Sequence, residues 1–138
     1  MKPLYTASAV STGDGRNGHV ETSDQVLVTD VRTPTEMGGP GGATNPEQLF
    51  AAGYSACFHS ALRQVAKQAG ADVSGSEVVA DVVLGDDGAG GFQLAVTLEV
   101  NLPQVSAEQA QELAEQAHQV CPYSKATRGN IEVSLRVA

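Results

Sequence analysis

The chain has 138 residues, which points to one domain spanning 1–138. It carries 8 Lys and Arg against 16 Asp and Glu, a net charge of −8, so it has no broad basic face to replace the counterions of a nucleic acid or to lie on an anionic membrane. Apolar residues make up 41%, enough for a packed core, and the 15 glycines fall between periodic segments, so they predict turns rather than disorder.

The opening Leu4–Val10 alternates weakly and predicts a strand. Thr12-Gly13-Asp14-Gly15-Arg16-Asn17-Gly18 is a dense turn signal, with Asn17-Gly18 suited to the positive-φ positions of a hairpin. His19–Thr22 and Gln25–Val31 predict two more strands. Pro34–Ala43 contains Gly38-Gly39-Pro40-Gly41-Gly42 and predicts a loop.

A helix follows. Asn45 suits the cap, Pro46 the first helical position and Glu47 the positive helix end, and Gly70 sets the stop near Gln68. Leu49, Gly53, Ala56, Cys57, Ser60, Ala61 and Val65 recur at helical spacing, while Phe50, Ala52, Tyr54 and Phe58 occupy other faces. This helix is expected to be apolar nearly all round before Arg63, hence deeply buried. Its apolar stretch, Gln48–Leu62, is shorter than the about 20 residues of a membrane span.

Glu77–Leu84 and Phe92–Asn101 predict strands around the turn Gly85–Gly91, with Leu94, Val96, Leu98 and Val100 facing inward. Ser106 and Gln109 form a capping signal for a second helix bearing Leu113, Ala117 and Val120. Pro122 disfavours helical geometry in the residue before it, so this helix ends near Cys121. Ile131–Val137 predicts the last strand. The expected fold is α+β, with mainly antiparallel sheets and two main helices. The N-terminus lacks the apolar core of a signal peptide, which makes the cytoplasm the default compartment.

Gly13-x-Gly15-x-x-Gly18 matches the dinucleotide fingerprint in letters only. It lies between short strands and opens no helix, so no helix terminus is there for a pyrophosphate. A Cys–His hydrolase needs a histidine beside its nucleophile. His59 is two residues from Cys57 on one helix and points elsewhere, whereas His118 precedes Cys121 by one turn. A zinc site from Cys57, Cys121 and His118 has no spacing signature, so no metal is expected.

The two cysteines are left as inert buried thiols or as a redox pair. Cys57 sits about 16 Å from the start of its helix, beyond the reach of the dipole, and apolar surroundings raise a thiol pKa. A reactive Cys57 therefore needs a cation brought to it, and Arg16, Arg32, Arg63, Arg128 and Arg136 are the arginines available. Cys121, at the negative end of the second helix, is a poor first attacker and suits a second step.

Ala43-Thr44-Asn45-Pro46-Glu47-Gln48-Leu49-Phe50-Ala51-Ala52-Gly53-Tyr54-Ser55-Ala56-Cys57-Phe58 resembles the first signature of the organic hydroperoxide resistance proteins, the thiol peroxidase branch of the osmotically inducible protein C superfamily. His118-Gln119-Val120-Cys121-Pro122-Tyr123-Ser124, continued by Thr127-Arg128-Gly129-Asn130-Ile131, resembles the second. The length and Leu4-Tyr5-Thr6-Ala7 agree, so the resemblance covers essentially the whole chain.

The resemblance implies a bacterial peroxidase that reduces organic and lipid hydroperoxides to alcohols without metal or bound cofactor. It implies Cys57 as the peroxidatic thiol, Cys121 as the resolving thiol, Arg16 as the catalytic arginine and Glu47 as its carboxylate partner. It also implies an intertwined homodimer, re-reduced by a dihydrolipoyl-bearing protein or another dithiol. Leu49, Phe50 and Phe58 are the expected apolar wall of the substrate pocket. Glu47 and Cys57 would stand about 15 Å apart on a straight helix. Either the helix breaks near Gly53, or Arg16 and Glu47 serve Cys57 of the partner subunit, the arrangement preferred here. The alternatives are a superfamily member with a different oxidant, a hydrophobic-ligand binding protein with bystander cysteines, and a cysteine hydrolase dependent on His118.

Overall fold

A computed structural model describes all 138 residues. Its element order is β1 (Ala9–Asp14), β2 (Asn17–Thr22), β3 (Val28–Asp30), a 3-10 turn (Thr35–Met37), α1 (Pro46–Gln68), β4 (Glu77–Asp86), β5 (Phe92–Asn101), α2 (Ala107–Val120), α3 (Pro122–Thr127) and β6 (Glu132–Val137). The elements fall into two compact units, Met1–Leu49 and Phe50–Ala138. No helix is long and apolar enough to cross a membrane.

The first unit is an antiparallel sheet of order β1-β2-β3. Its first strand begins at Ala9, not Leu4, and runs through the expected turn to Asp14. The pairing Asp14↔Asn17 leaves Gly15-Arg16 as the two-residue turn, with Gly15 at φ 62°, and puts Asn17-Gly18 inside β2. Gly13 and Gly18 face each other across the ladder. A Cβ on Gly18 would stand 2.1 Å from the Thr12 carbonyl oxygen, so close backbone approach is what these glycines serve. The third strand is only Val28–Asp30, shorter than the alternation implied. Asp24 Oδ1 accepts from the Thr22 hydroxyl and the Val26 N–H, and Gln25 has φ 59°, so 23–27 turns instead of extending.

The second unit is a sheet of order β4-β5-β6. β4 and β5 pair antiparallel over ten residues each, and β6 runs parallel to β5, the exception to the antiparallel expectation. The chain reaches β6 through α2 and α3, which supply the crossover a parallel pair requires. Val96, Leu98 and Val100 of β5 are buried with Leu113, Ala114 and Ala117 of α2 and Tyr54, Phe58, Leu62 and Val65 of α1.

The α1 helix starts where expected, with Asn45 Oδ1 accepting from the Gln48 N–H at 2.9 Å. It is continuous through Gly53. Its burial is one-sided, contrary to the all-round expectation. Tyr54, Phe58, Ala61, Leu62, Val65 and Ala66 form the buried stripe, while Ala52, Ala56 and Ser60 are exposed. The alanines and Ser60 made both faces look alike in sequence, but the large side chains decide which face is buried. The Ser106 hydroxyl caps α2, accepting from the Gln109 N–H at 3.1 Å.

Candidate active site

In the first unit the β1–β2 turn carries Arg16 to the first turn of α1. Arg16 Nη1 donates to Glu47 Oε2 at 3.0 Å and Nη2 to Oε1 at 2.8 Å, a two-pronged pair. The Arg16 side chain is 43% exposed and that of Glu47 15%. The hydrogen bond from Arg16 holds the Glu47 carboxyl below its ordinary range, against the opposing effect of burial. The same bond raises Arg16. Arg32 is used differently: its Nη1 donates to the Gly18 and Val31 carbonyls and closes the β2–β3 end of the sheet.

In the second unit α1 carries half-buried Cys57, and the junction of α2 and α3 carries fully buried Cys121. Both are free thiols, and Cys121 Sγ lies 3.5 Å from Cys57 Sγ, although 64 residues separate them in sequence. Burial raises the Cys57 pKa most, the Tyr123 backbone N–H lowers it, and the Cys121 thiol raises it further. The expected upward push of apolar surroundings is therefore present. Arg63 and Arg128 are engaged elsewhere in this unit, on Ser76 Oγ at 3.4 Å and on the His118 carbonyl at 2.7 Å.

Cys121 ends α2 but also precedes α3, a helix the sequence reading missed. Pro122, read only as a terminator, is the first residue of α3, a position that suits proline's fixed φ and missing N–H. Cys121 therefore stands both at the negative end of α2 and at the start of α3.

None of the three histidines hydrogen-bonds a cysteine. His19 Nδ1 meets Asp30 at 2.9 Å, His59 Nε2 meets Ser76 Oγ at 2.9 Å and His118 Nδ1 meets Ser124 Oγ at 2.8 Å. That geometry disfavours a Cys–His dyad. No group of three or more His, Cys, Asp or Glu is arranged to hold a metal ion.

Of the expected apolar wall, Phe50 and Leu49 are half-buried, but Phe58 is fully buried in the core and presents no surface to a ligand. The exposed aromatic ring beside Phe50 is instead that of Tyr123. Its ring centroid lies 5.8 Å from that of Tyr54 and 6.4 Å from that of Phe50, and it is 42% exposed. Its ring lies over Gly53, one helical turn before Cys57: a Cβ on Gly53 would meet its hydroxyl at 3.1 Å. Glycine on the face of α1 that bears Cys57 was the available signal.

The chain is similar to known proteins over nearly its whole length. Residues 39–136 match the family model described as OsmC-like protein. The organic hydroperoxide resistance protein of Xanthomonas axonopodis pv. citri is 50% identical over 99% of this chain and 96% of its own. The crystal structure of an organic hydroperoxide resistance protein from Elizabethkingia anophelis is 55% identical, with a TM-score of 0.93 over 100% of this chain and 99% of its own. That of OhrB from Bacillus subtilis is 47% identical, with a TM-score of 0.89 over 99% of this chain and 100% of its own. With near-complete coverage in both directions, the chain belongs to the OsmC-like family, among its organic hydroperoxide resistance proteins.

Proposed function

We propose that this protein reduces organic hydroperoxides to alcohols with a cysteine pair, as a defence against oxidative stress. The observation that carries the proposal is the 3.5 Å separation of two free thiols, one half-buried and one fully buried. Inert core cysteines have no reason to meet sulfur to sulfur, whereas a resolving thiol must.

In this reading the Cys57 thiolate attacks one peroxide oxygen, the O–O bond breaks and the alkoxide leaves with a proton as the alcohol. Cys57 becomes a sulfenic acid. The Cys121 thiol then attacks that sulfur, water leaves and a disulfide forms. Closing from 3.5 Å to a bond of about 2 Å needs a small local shift. A dithiol, in this reading a dihydrolipoyl group borne on a protein, reopens the disulfide by exchange. The steps draw on no metal and no bound cofactor. Phe50 and Tyr123, whose ring centroids lie 6.4 Å apart, give the substrate an apolar surface, which favours an organic peroxide over hydrogen peroxide.

Burial and Cys121 hold the Cys57 thiol up, so the thiolate needs a cation. Arg16 is that cation, and Glu47 keeps its fork oriented. Because α1 is unbroken, Glu47 and Cys57 stand about 15 Å apart along it, so the Arg16–Glu47 pair of one subunit serves Cys57 of the partner subunit. A homodimer is supported by the first unit itself. Every residue of β1 is exposed in the single chain, as are Leu4, Tyr5, Val10 and Val26, and Val31 is its only buried apolar residue. A small sheet so bare needs covering.

The test is a free-thiol titration of the reduced protein after one equivalent of cumene hydroperoxide, with hydrogen peroxide in parallel. Loss of both thiols, faster with the organic peroxide, and no intramolecular disulfide in Cys121→Ser are expected. Survival of both thiols overturns the reading and leaves a binding protein.

A further inference from the structure

Next to the thiol pair lies a second cross-link between the same two segments, made of hydroxyl groups. Tyr54, one turn before Cys57 on α1, is fully buried, and its hydroxyl lies 2.9 Å from Ser124 Oγ and 3.0 Å from Thr127 Oγ1. Ser124, three residues after Cys121, is also fully buried, and Thr127 nearly so. Tyr54 and Cys57 are thus neighbours on α1, and Ser124 follows Cys121 by the same interval. The sulfur contact and the hydroxyl contact form two adjacent rungs between α1 and the start of α3.

The direction of the hydroxyl rung follows from counting protons. Thr127 donates its hydroxyl proton to the Ser124 carbonyl at 3.2 Å. Its oxygen must therefore accept from Tyr54, which has only one proton to give. The Tyr54 oxygen then accepts from Ser124, and Ser124 Oγ in turn accepts from His118 Nδ1 at 2.8 Å. The chain runs His118 to Ser124 to Tyr54 to Thr127, with each donor used once. No buried side-chain polar atom is left without a partner. Arg128 closes the same segment by donating to the His118 carbonyl, and its backbone N–H donates to the Ser124 carbonyl at 2.7 Å.

We infer that this chain is a positioning device for Cys121: Tyr54 and Thr127 hold the α2–α3 junction at the distance from α1 that disulfide closure requires. The inference rests on the two-cysteine reading above. Two reactions compete for the Cys57 sulfenic acid. In one, the Cys121 thiol displaces water and a disulfide forms. In the other, a second hydroperoxide transfers an oxygen, giving the sulfinic acid and a second alcohol. The first is intramolecular and depends on how closely Cys121 is held; the second does not. Loosening the hydroxyl rung slows the first and leaves the second alone, so the chain sets how many turnovers the enzyme survives.

The experiment compares wild type, Thr127→Val and Thr127→Ser, each reduced and treated with excess cumene hydroperoxide, with Cys57 products read by mass spectrometry. Valine keeps the shape but removes the acceptor of the Tyr54 proton; serine restores it. Diversion to sulfinic acid is expected to rise about tenfold in Thr127→Val and to return to near wild type in Thr127→Ser. The rate of the first thiolate oxidation, followed by stopped flow, stays within about twofold of wild type, as expected if the side chain acts only on the second step. Tyr54→Phe, which removes the central hydroxyl, serves in the same way should Thr127→Val not fold. An unchanged ratio of disulfide to sulfinic acid in the variant, beside a wild type that closes its disulfide, overturns the inference. A wild type that closes none overturns the two-cysteine reading and this inference with it.

Discussion

Arg16 and Glu47 meet fork to fork, with donor–acceptor distances of 3.0 and 2.8 Å, across 31 residues of chain. A bidentate pair fixes the direction of the guanidinium plane as well as its position, which a point charge cannot do. One end sits in a two-residue turn and the other in the first turn of a helix, so both backbone anchors are stiff.

Direction is therefore the property to perturb. Arg16→Lys keeps the charge and loses the fork; Glu47→Gln keeps the shape and loses half the pair. Both are expected to lower kcat/KM for cumene hydroperoxide by about 100-fold or more, with both thiols still titratable after denaturation. In a mixture of Arg16→Ala and Cys57→Ser subunits, refolded together, activity should return to a fraction of wild type. If it does not, Arg16 and Cys57 do not act across subunits.

Acid should break the pair at the carboxylate. The Glu47 carboxyl is held below its ordinary value by Arg16, so the unfolded chain binds the proton more tightly than the folded one. The stabilisation is present above the ordinary value of 4.5 and is lost as pH falls through the lower folded value. Thermal melts of wild type and Glu47→Gln should differ at pH 6 and converge as pH falls through the lowered Glu47 value. A constant gap across that window would show that Glu47 does not titrate as a partner of Arg16.

The hairpin that carries Arg16 has a steric prediction of its own. Gly18→Ala puts a methyl 2.1 Å from the Thr12 carbonyl oxygen, a backbone atom that cannot step aside. Gly15→Ala meets no atom but must hold φ near 62°. The first is expected to cost more than about 2 kcal/mol in urea unfolding, the second about 1 kcal/mol. A reversed order would mean that the turn, not the close strand approach, controls the hairpin.

Gly53 and Tyr123 should be coupled. Alanine at a helix interior gains about 1 kcal/mol over glycine, but here its methyl would press the Tyr123 hydroxyl at 3.1 Å and Cε2 at 3.2 Å. Gly53→Ala is expected to be near neutral or destabilising in wild type and stabilising by about 1 kcal/mol in a Tyr123→Ala background. Additivity in this double-mutant cycle would mean that the ring does not rest on Gly53.

His118 offers a direct check on proton placement. The hydroxyl chain requires a proton on Nδ1, and burial, aided by the charge of Arg128, pushes the imidazole pKa below its ordinary 6.5. At pH 7.5 the ring should be the neutral Nδ1–H form, visible in its nitrogen chemical shifts, whereas neutral histidine in water favours Nε2–H. An Nε2–H ring would reverse the chain's direction.

Much of the molecule was legible in the residues. The α1 helix was readable at both ends, because Asn45, Pro46 and Gly70 act locally. β4 and β5 were readable from alternation, and the resemblance named Arg16 with Glu47 and Cys57 with Cys121, pairs that the structure brings into contact. The errors share a cause. The β1–β2 turn moved by two residues because Asn17-Gly18 is a good turn in isolation, but Gly13 and Gly18 were needed opposite each other in the ladder. Phe58 looked like a pocket residue because adjacent helix faces were all apolar, and only packing chose the buried one. Residues 122–127 were passed over because a proline that ends one helix also starts the next.

The sequence by itself determined what short-range physics controls: helix ends, strand alternation, turn-forming glycines, and a −8 charge unsuited to polyanions. Tertiary structure decided everything that joins distant segments. It brought Cys121 to 3.5 Å from Cys57, set the two prongs of Arg16 on Glu47 and laid β6 parallel to β5. Local propensity extends only a few residues, whereas these contacts span tens of residues and exist only once a shared core has been packed.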